Sequence, residues 1–467
     1  MVKYLKRLLV ILIGISLVFT FSVVGCKEKV VEEPAEEVVE EAEPAEEDPL
    51  AIYKEANIDW RQFEGTTLNV LCLPESFPWT GVMASELNPL FTELTGIEVN
   101  LDQLQEELFF KKAATSLSAG KGEYDVTFVG IMQFAQYTEG GWLEPLDGYF
   151  NNPKLCDLDW YEIEDFIPAA LIAGNRDGNQ YTVPFAAMAE ILYCNKDVFD
   201  EKGVELPKTY DELYDVCMQL HNPPDFDGFV TRGMRGVSII SEWTGVFLSY
   251  GADYFDETGK CTVNSPAGVE ATDMFVKLMY DCGPGDAALG FTWMEASEHF
   301  EQGRAAVYME VSAQGPVVEG PQSLVAGKVE YIPLPTYKDI NVSPSYWFWM
   351  LGIPSAGKNL EAAFLYLTFA SSKVAAPPLS EGGVAPSRTS EWQPGAYTSK
   401  YPGNYQKATL DSISMVEPER TPYYYPEWPE IADIVSAEII NVMTGVKDSQ
   451  TAMDDAAAAV DKLILGQ

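Results

Sequence analysis

Tryptophans and carboxyl groups fall together in several short stretches of this chain. PESFPWTG (74–81) carries Glu75, Phe77 and Trp79, YMEVSAQG (308–315) carries Glu310, Ser312 and Gln314, and YWFWM (346–350) carries Trp347 and Trp349. In an extended chain successive side chains alternate, so Trp347 and Trp349 share one face and Phe348 takes the other. Arg232 and Arg235 in TRGMRG (231–236) could grip a carboxylate or phosphate bidentately, although solvated loop arginines are the plainer reading. NRDGNQ (175–180) and DFDG (225–228) hold too few oxygens at the spacing of a calcium loop and read as turns. No GxSxG, HExxH, GxxxxGK[ST] or strand-borne GxGxxG occurs. Acids are too numerous for a paired-carboxylate glycoside hydrolase to be excluded. With no CxxC and only His221 and His299, neither a metal site nor a cofactor is expected.

Alternating elements must position these residues. TLNVLCL (67–73) reads as a buried strand, and ASELNPLFTELTG (84–96) spaces Leu87, Leu90, Phe91 and Leu94 as a helix stopped by Gly96. IEVNL then reads as a second strand, 103–119 as a second helix and YDVTFVG (124–130) as a third strand. Glu106 falls on that second helix, on a face read as exposed but within reach of a cleft. A β-α-β-α-β order predicts a mostly parallel sheet whose crevice lies beyond the carboxyl ends of its strands, which is where Glu75, Phe77 and Trp79 follow the first strand. A second series opens at YTVPFAAMAEILYCN (181–195). It continues into TYDELYDVCMQLH, where Thr209 and Glu212 form a capping box ahead of Leu213, Val216 and Leu220. NLEAAFLYLTFASS (359–372) and EIADIVSAEIINVMTG (430–445) read as strong late helices.

The chain opens with Lys3, Lys6 and Arg7 before an apolar run, Leu8 to Val24, the order of an export signal. SVVGC then resembles the processing site of bacterial lipoproteins, which makes Cys26 the expected lipidation site, with Val23 where that pattern usually has leucine. From Lys27 to Asp48 there are 11 acids and two lysines, a segment too polar to fold and read as an extended tether. The net charge is −41; the tether supplies −9 and the leading basic residues +3, so −35 belongs to the rest. Nucleic acid is excluded as a partner on that charge. The residues beyond about 66 exceed one core and predict two lobes. Six cysteines besides Cys26 leave disulfides open, although Cys72, Cys194 and Cys217 sit in apolar runs as buried thiols do.

Four stretches in order, YDVTFVGIMQFAQYTEGGWLEPLDGYF, YTVPFAAMAEILYCNKDVFDEKGVELPKTYDEL, FEQGRAAVYME and WFWMLGIPSAGKNLEAAFLYLTFASS, resemble extracellular solute-binding proteins of carbohydrate-type ABC importers, the maltose-binding-protein superfamily. GGVAPSRTS (382–390) and the C-terminal YPEWPEIADIVSAEIINVMTGVKDSQTAMDDAAAAVDKLI fit the same pattern. The resemblance implies an α/β, two-lobed periplasmic-binding-protein fold, each lobe a mostly parallel sheet flanked by helices, with a hinge between. The expected organisation is a signal peptide over 1–25, a lipidated cysteine and tether over 26–65, one lobe from 66–184 with 353–405, and the other from 185–352 with 406–467.

A sugar offers apolar C–H faces and a rim of hydroxyls, so its binder needs flat aromatics, carboxylates and amides. Beside Glu75, Trp79, Glu310, Gln314, Trp347 and Trp349, the resemblance implies ligand roles for Gln133 and Phe134 in a loop after the third strand. It implies the same for Glu190 past the first crossover, for Glu242 and Trp243, and for Trp428 with Tyr424 before the late helix. The resulting expectation is a monomeric, extracytoplasmic, lipid-anchored receptor, not an enzyme, that closes on a carbohydrate or polyol and delivers it to an ABC permease. A receptor for a small anion held by Arg232 or Arg235, or a surface glycoside hydrolase, is the alternative.

Overall fold

A computed structural model describes residues 49–338, 340, 342–392 and 400–466. The export signal, Cys26 and the tether up to Asp48 lie outside the described residues. The remainder of the expected tether is corrected: 49–65 is packed, with a helix over Ala51–Glu55 and with Tyr53 and Trp60 buried. The cause is aromatic. Tyr53 stacks on Phe369 at 4.6 Å, Trp60 stands edge-on to Tyr53 at 6.1 Å, and the Trp60 indole donates to the Tyr53 carbonyl at 2.8 Å.

Among the described residues ten strands follow: β1 (Thr67–Cys72), β2 (Glu98–Gln103), β3 (Val126–Gly130), the short β4 (Asn175–Arg176) and β5 (Asn179–Gln180), β6 (Thr182–Asn195), β7 (Asp227–Val230), β8 (Ala305–Val311), β9 (Val329–Pro333) and β10 (Tyr346–Gly352). β4 and β5 pair only with each other. The main path runs β2-β1-β3-β10-β6-β8-β7, with β9 on β6. β1 is parallel to β2 and β3, and β7 to β8, as the β-α-β order predicts; β6 and β10 run antiparallel to their neighbours.

Strand β6 changes pairing partners along its length. Thr182 to Ala189 pairs with β10, and Glu190 to Asn195 pairs with β8 and β9. All fourteen residues of β6 are buried, because a strand covered on both faces needs a continuous apolar run. Glu190 is the one acid inside it. The helix Tyr210–Leu220 opens with the expected capping box, Thr209 Oγ1 accepting from Glu212 N at 3.2 Å and Glu212 Oε2 from Thr209 N at 3.3 Å. The six cysteines of the body are free and buried, so no disulfide staples the described residues.

Candidate functional site

Gly130 ends β3 and caps the helix Ile131–Glu139, so Gln133 stands on a first helical turn rather than in the expected loop. Trp349 pairs with both Gly130 and Ala186, and Trp347 with Met188. The missing side chain at Gly130 is what lets this corner close. A Cβ there would lie 2.7 Å from Gln133 Oε1, 3.3 Å from Trp347 Cζ2 and 3.6 Å from Trp349 Cζ3. The two tryptophan rings are 5.6 Å apart. Trp349 also meets Phe77 at 5.7 Å and lies parallel to Phe110 at 6.0 Å. Trp79, in the short helix Pro78–Val82, is buried between Phe128 at 4.8 Å and Phe185 at 4.9 Å. Glu75 is exposed and exchanges hydrogen bonds with Gln103, at 2.9 and 3.0 Å. Phe134 is buried with its ring 6.4 Å from Tyr181.

The second group is a cluster of carboxyls around one guanidinium. Arg232 is corrected from a solvated loop residue to a buried one: it donates from Nε to Glu310 Oε2 at 2.6 Å, bonds Glu310 again through Nη2, and lies 3.3 Å from Glu242 Oε1. Ser241 Oγ also donates to Glu242, at 3.0 Å. Glu190 is fully buried on the same side, its Oε2 accepting from Ser345 N at 3.3 Å and packed against Gly245 of the helix Val237–Ser249. Burial first, and the neighbouring carboxylates second, push Glu190 and Glu242 up. Arg235 is exposed and bonds Asp433 at 3.1 and 2.9 Å. Both arginines are therefore paired with carboxylates, Arg232 inside the protein and Arg235 at its surface.

Trp428 opens the helix Trp428–Met443 and meets Tyr423 at 5.4 Å, whose hydroxyl lies 3.5 Å from Ser345 Oγ, beside Glu190. Tyr424, the neighbour expected at this place, is partly exposed and offers its carbonyl to Arg176 at 3.3 Å. Trp243 does not join the group: its indole donates to Thr272 Oγ1 at 3.1 Å and its ring stacks on Phe247 at 4.4 Å, as a satisfied core residue does. Gln314 ends the turn Ser312–Gln314 that follows β8.

Seven candidate residues bury polar atoms that no hydrogen-bond partner among the described residues reaches: Trp79 Nε1, Gln133 Oε1, Glu190 Oε1, Ser312 Oγ, Gln314 Oε1, Trp347 Nε1 and Trp428 Nε1. Buried polar atoms are ordinarily paired, because leaving one unpaired costs about 1–3 kcal/mol. Three are indole donors, three are acceptors and one is a hydroxyl. Hydroxyl groups, which both donate and accept, match such a set. Sequence reasoning missed Phe110, Ser345 and Tyr423; Tyr423 adjoins the chosen Tyr424, and a period of two from Trp347 would have found Ser345.

A family model described as bacterial extracellular solute-binding protein matches residues 79–377. The erythritol/L-threitol-binding protein of Mycolicibacterium smegmatis is 28% identical over 70% of this chain and 71% of its own length. The mannitol-binding protein of Pseudomonas aeruginosa is 26% identical over 75% and 82%. Among solved structures, an ABC transporter solute-binding protein from Agrobacterium radiobacter in complex with ribitol superposes with a TM-score of 0.79 at 25% identity, covering 86% of this chain and 99% of that one.

Proposed function

The chain belongs to the family of bacterial extracellular solute-binding proteins, and from that premise we propose that it is the receptor of an ABC importer for a neutral polyol or sugar. The observation that carries this reading is that, of the fifteen buried side-chain polar atoms without a partner among the described residues, seven fall on the candidate residues, beside stacked aromatics. A polyhydroxyl solute would pair them, and its C–H faces would lie on the rings of Trp347 and Trp349. The relatives named for erythritol, L-threitol and mannitol, and the ribitol complex, support the same solute class.

In this reading residues 49–184 with 353–405 form one lobe and 185–352 with 406–467 the other. A solute touching both favours their closed arrangement by the contacts it gains there. Lipidation at Cys26, in SVVGC, would keep the receptor beside its permease, and two or more acyl chains give durable attachment.

A thermal-shift screen of the full chain against alditols, monosaccharides, oligosaccharides, amino acids and sugar phosphates tests the reading. A solute at a hundredfold its Kd adds about 2.7 kcal/mol of stability. A shift with a neutral polyol or sugar recovered unchanged supports it. Shifts with sugar phosphates alone, or consumption of the sugar, would overturn it.

A further inference from the structure

The carboxyl cluster has more acid than cation. Glu242 and Glu310 hold a single guanidinium, Arg232, Glu190 neighbours both acids, and all four side chains are buried. Arg232 is committed: two of its nitrogens bond Glu310, and the contact at 3.3 Å goes to Glu242. Glu310 has further donors in Val311 N at 2.8 Å and the Tyr308 hydroxyl at 3.3 Å, and Glu242 has Ser241. Glu190 has no cation. It receives one long bond from Ser345 N, and its other oxygen receives none. Gly245 presses on it so closely that a Cβ there would meet Glu190 Oε2 at 1.6 Å.

The charged and titratable groups facing Glu190 are Glu242 on the helix Val237–Ser249, Glu310 on β8, and two phenols, Tyr210 on the helix Tyr210–Leu220 and Tyr423 beside Ser345, while Arg232 after β7 contacts Glu242 and Glu310. None of these supplies a spare positive charge. An isolated buried carboxylate takes up a proton rather than stay charged. A neutral carboxyl beside a carboxylate can also donate that proton in a hydrogen bond between them, which removes the repulsion the two charged forms would have.

We infer that Glu190 works in the solute site as a neutral carboxyl sharing its proton with Glu242, so that solute uptake is proton-linked and the site selects uncharged polyhydroxyl solutes over acids. Glu190 holds the proton because Arg232 and Ser241 already stabilise the charge on Glu242. Burial pushes Glu190 and Glu242 up in the same direction, Glu242 to about 8, so the pair keeps a proton at neutral pH. Losing it leaves a second uncompensated negative charge in the cluster and sets Glu190 against Glu242. A carboxylated solute would meet the same repulsion without any free cation to hold it.

This inference rests on the proposed solute site, and its test separates the two. Calorimetric titration of the full chain with ribitol and D-mannitol across neutral and alkaline pH reads the linkage. Affinity should fall by about tenfold per pH unit once the pair titrates. Glu190→Gln should abolish that slope, whatever affinity it retains. D-gluconate should bind at least about a hundredfold more weakly than D-glucitol. A slope absent in the wild type, a slope that persists in E190Q, or equal affinity for acid and alditol overturns the inference. Infrared difference spectra of E190Q against wild type, without solute at neutral pH, read the protonated-carboxyl stretch directly. Its loss in E190Q supports the shared proton even if neither alditol binds, in which case the solute assignment fails instead. Unchanged spectra overturn the proton.

Discussion

Arg232 holds Glu310 in a two-nitrogen grip inside the protein, 78 residues away in sequence, with Glu242 at 3.3 Å on its other side. Removing the guanidinium would leave two buried carboxylates without a counter-charge. Arg232→Ala should therefore cost about 3–5 kcal/mol in chemical denaturation. Arg235→Ala, which removes only an exposed pair with Asp433, should change stability by less than about 1 kcal/mol.

Gly130 is the hinge of the tryptophan corner in a steric sense. Its φ is −79°, so alanine fits the backbone, and the added methyl meets Gln133 Oε1, the movable end of a side chain. Gly130→Ala should fold, and should weaken solute binding by tenfold or more, about 1.4 kcal/mol, because Gln133 is pushed off its place beside Trp347. Calorimetric titration reads this directly, and unchanged affinity would remove Gln133 and Trp347 from the site.

Residues 49–65 belong to the folded unit. Trp60→Ala should lower stability by about 3–5 kcal/mol, the usual cost of emptying a buried tryptophan site. A chain beginning at residue 66 should melt below one beginning at Pro49. Equal melting temperatures would mean that Tyr53 and Trp60 contribute nothing.

The pH dependence of stability follows from the carboxyl cluster. Burial raises Glu190 and Glu242 together, so the pair shares one proton that it gives up only as pH rises through about 8, the value to which Glu242 is raised. The folded state thus binds more protons than the unfolded state between an ordinary carboxyl value of about 4.3 and about 8, so the pair's contribution is complete at acid pH and is lost as pH rises through about 8. Denaturation midpoints should fall over that window, and Glu190→Gln should make the fall shallower. A rise in stability over the same window would contradict the reading.

Six buried free thiols predict indifference to reductant. Burial pushes Cys72, Cys156 and Cys282 up to about 12, so they are neither ionised nor exposed enough to react in the folded chain. The melting temperature should be the same with and without dithiothreitol, and thiol reagents should label these residues only after unfolding.

The alternation of elements was legible because it rests on local periodicity. β1, β3, β6 and the helix Tyr210–Leu220 fall within one or two residues of the ranges expected from apolar spacing and capping. Trp347 and Trp349 were placed on one side by alternation alone, and the paired register with Met188 and Ala186 agrees. What local pattern does not carry is long-range pairing. TRGMRG looks like a polar loop, and nothing near Arg232 in sequence announces Glu310. Trp243 and Trp79 are alike as letters; only the Thr272 hydroxyl distinguishes a satisfied core indole from one whose N–H has no partner. The packed segment at 49–65 was missed because its few aromatics follow an acid-rich run that dominates the composition of the region.

Calorimetric titration of the full chain with ribitol and D-mannitol at neutral pH tests the central claim most directly. Saturable binding of one alditol molecule per chain, lost in Trp347→Ala, is the predicted result. No saturable heat with either alditol, nor with any neutral sugar of the screening panel, would contradict the assignment of a polyol or sugar receptor.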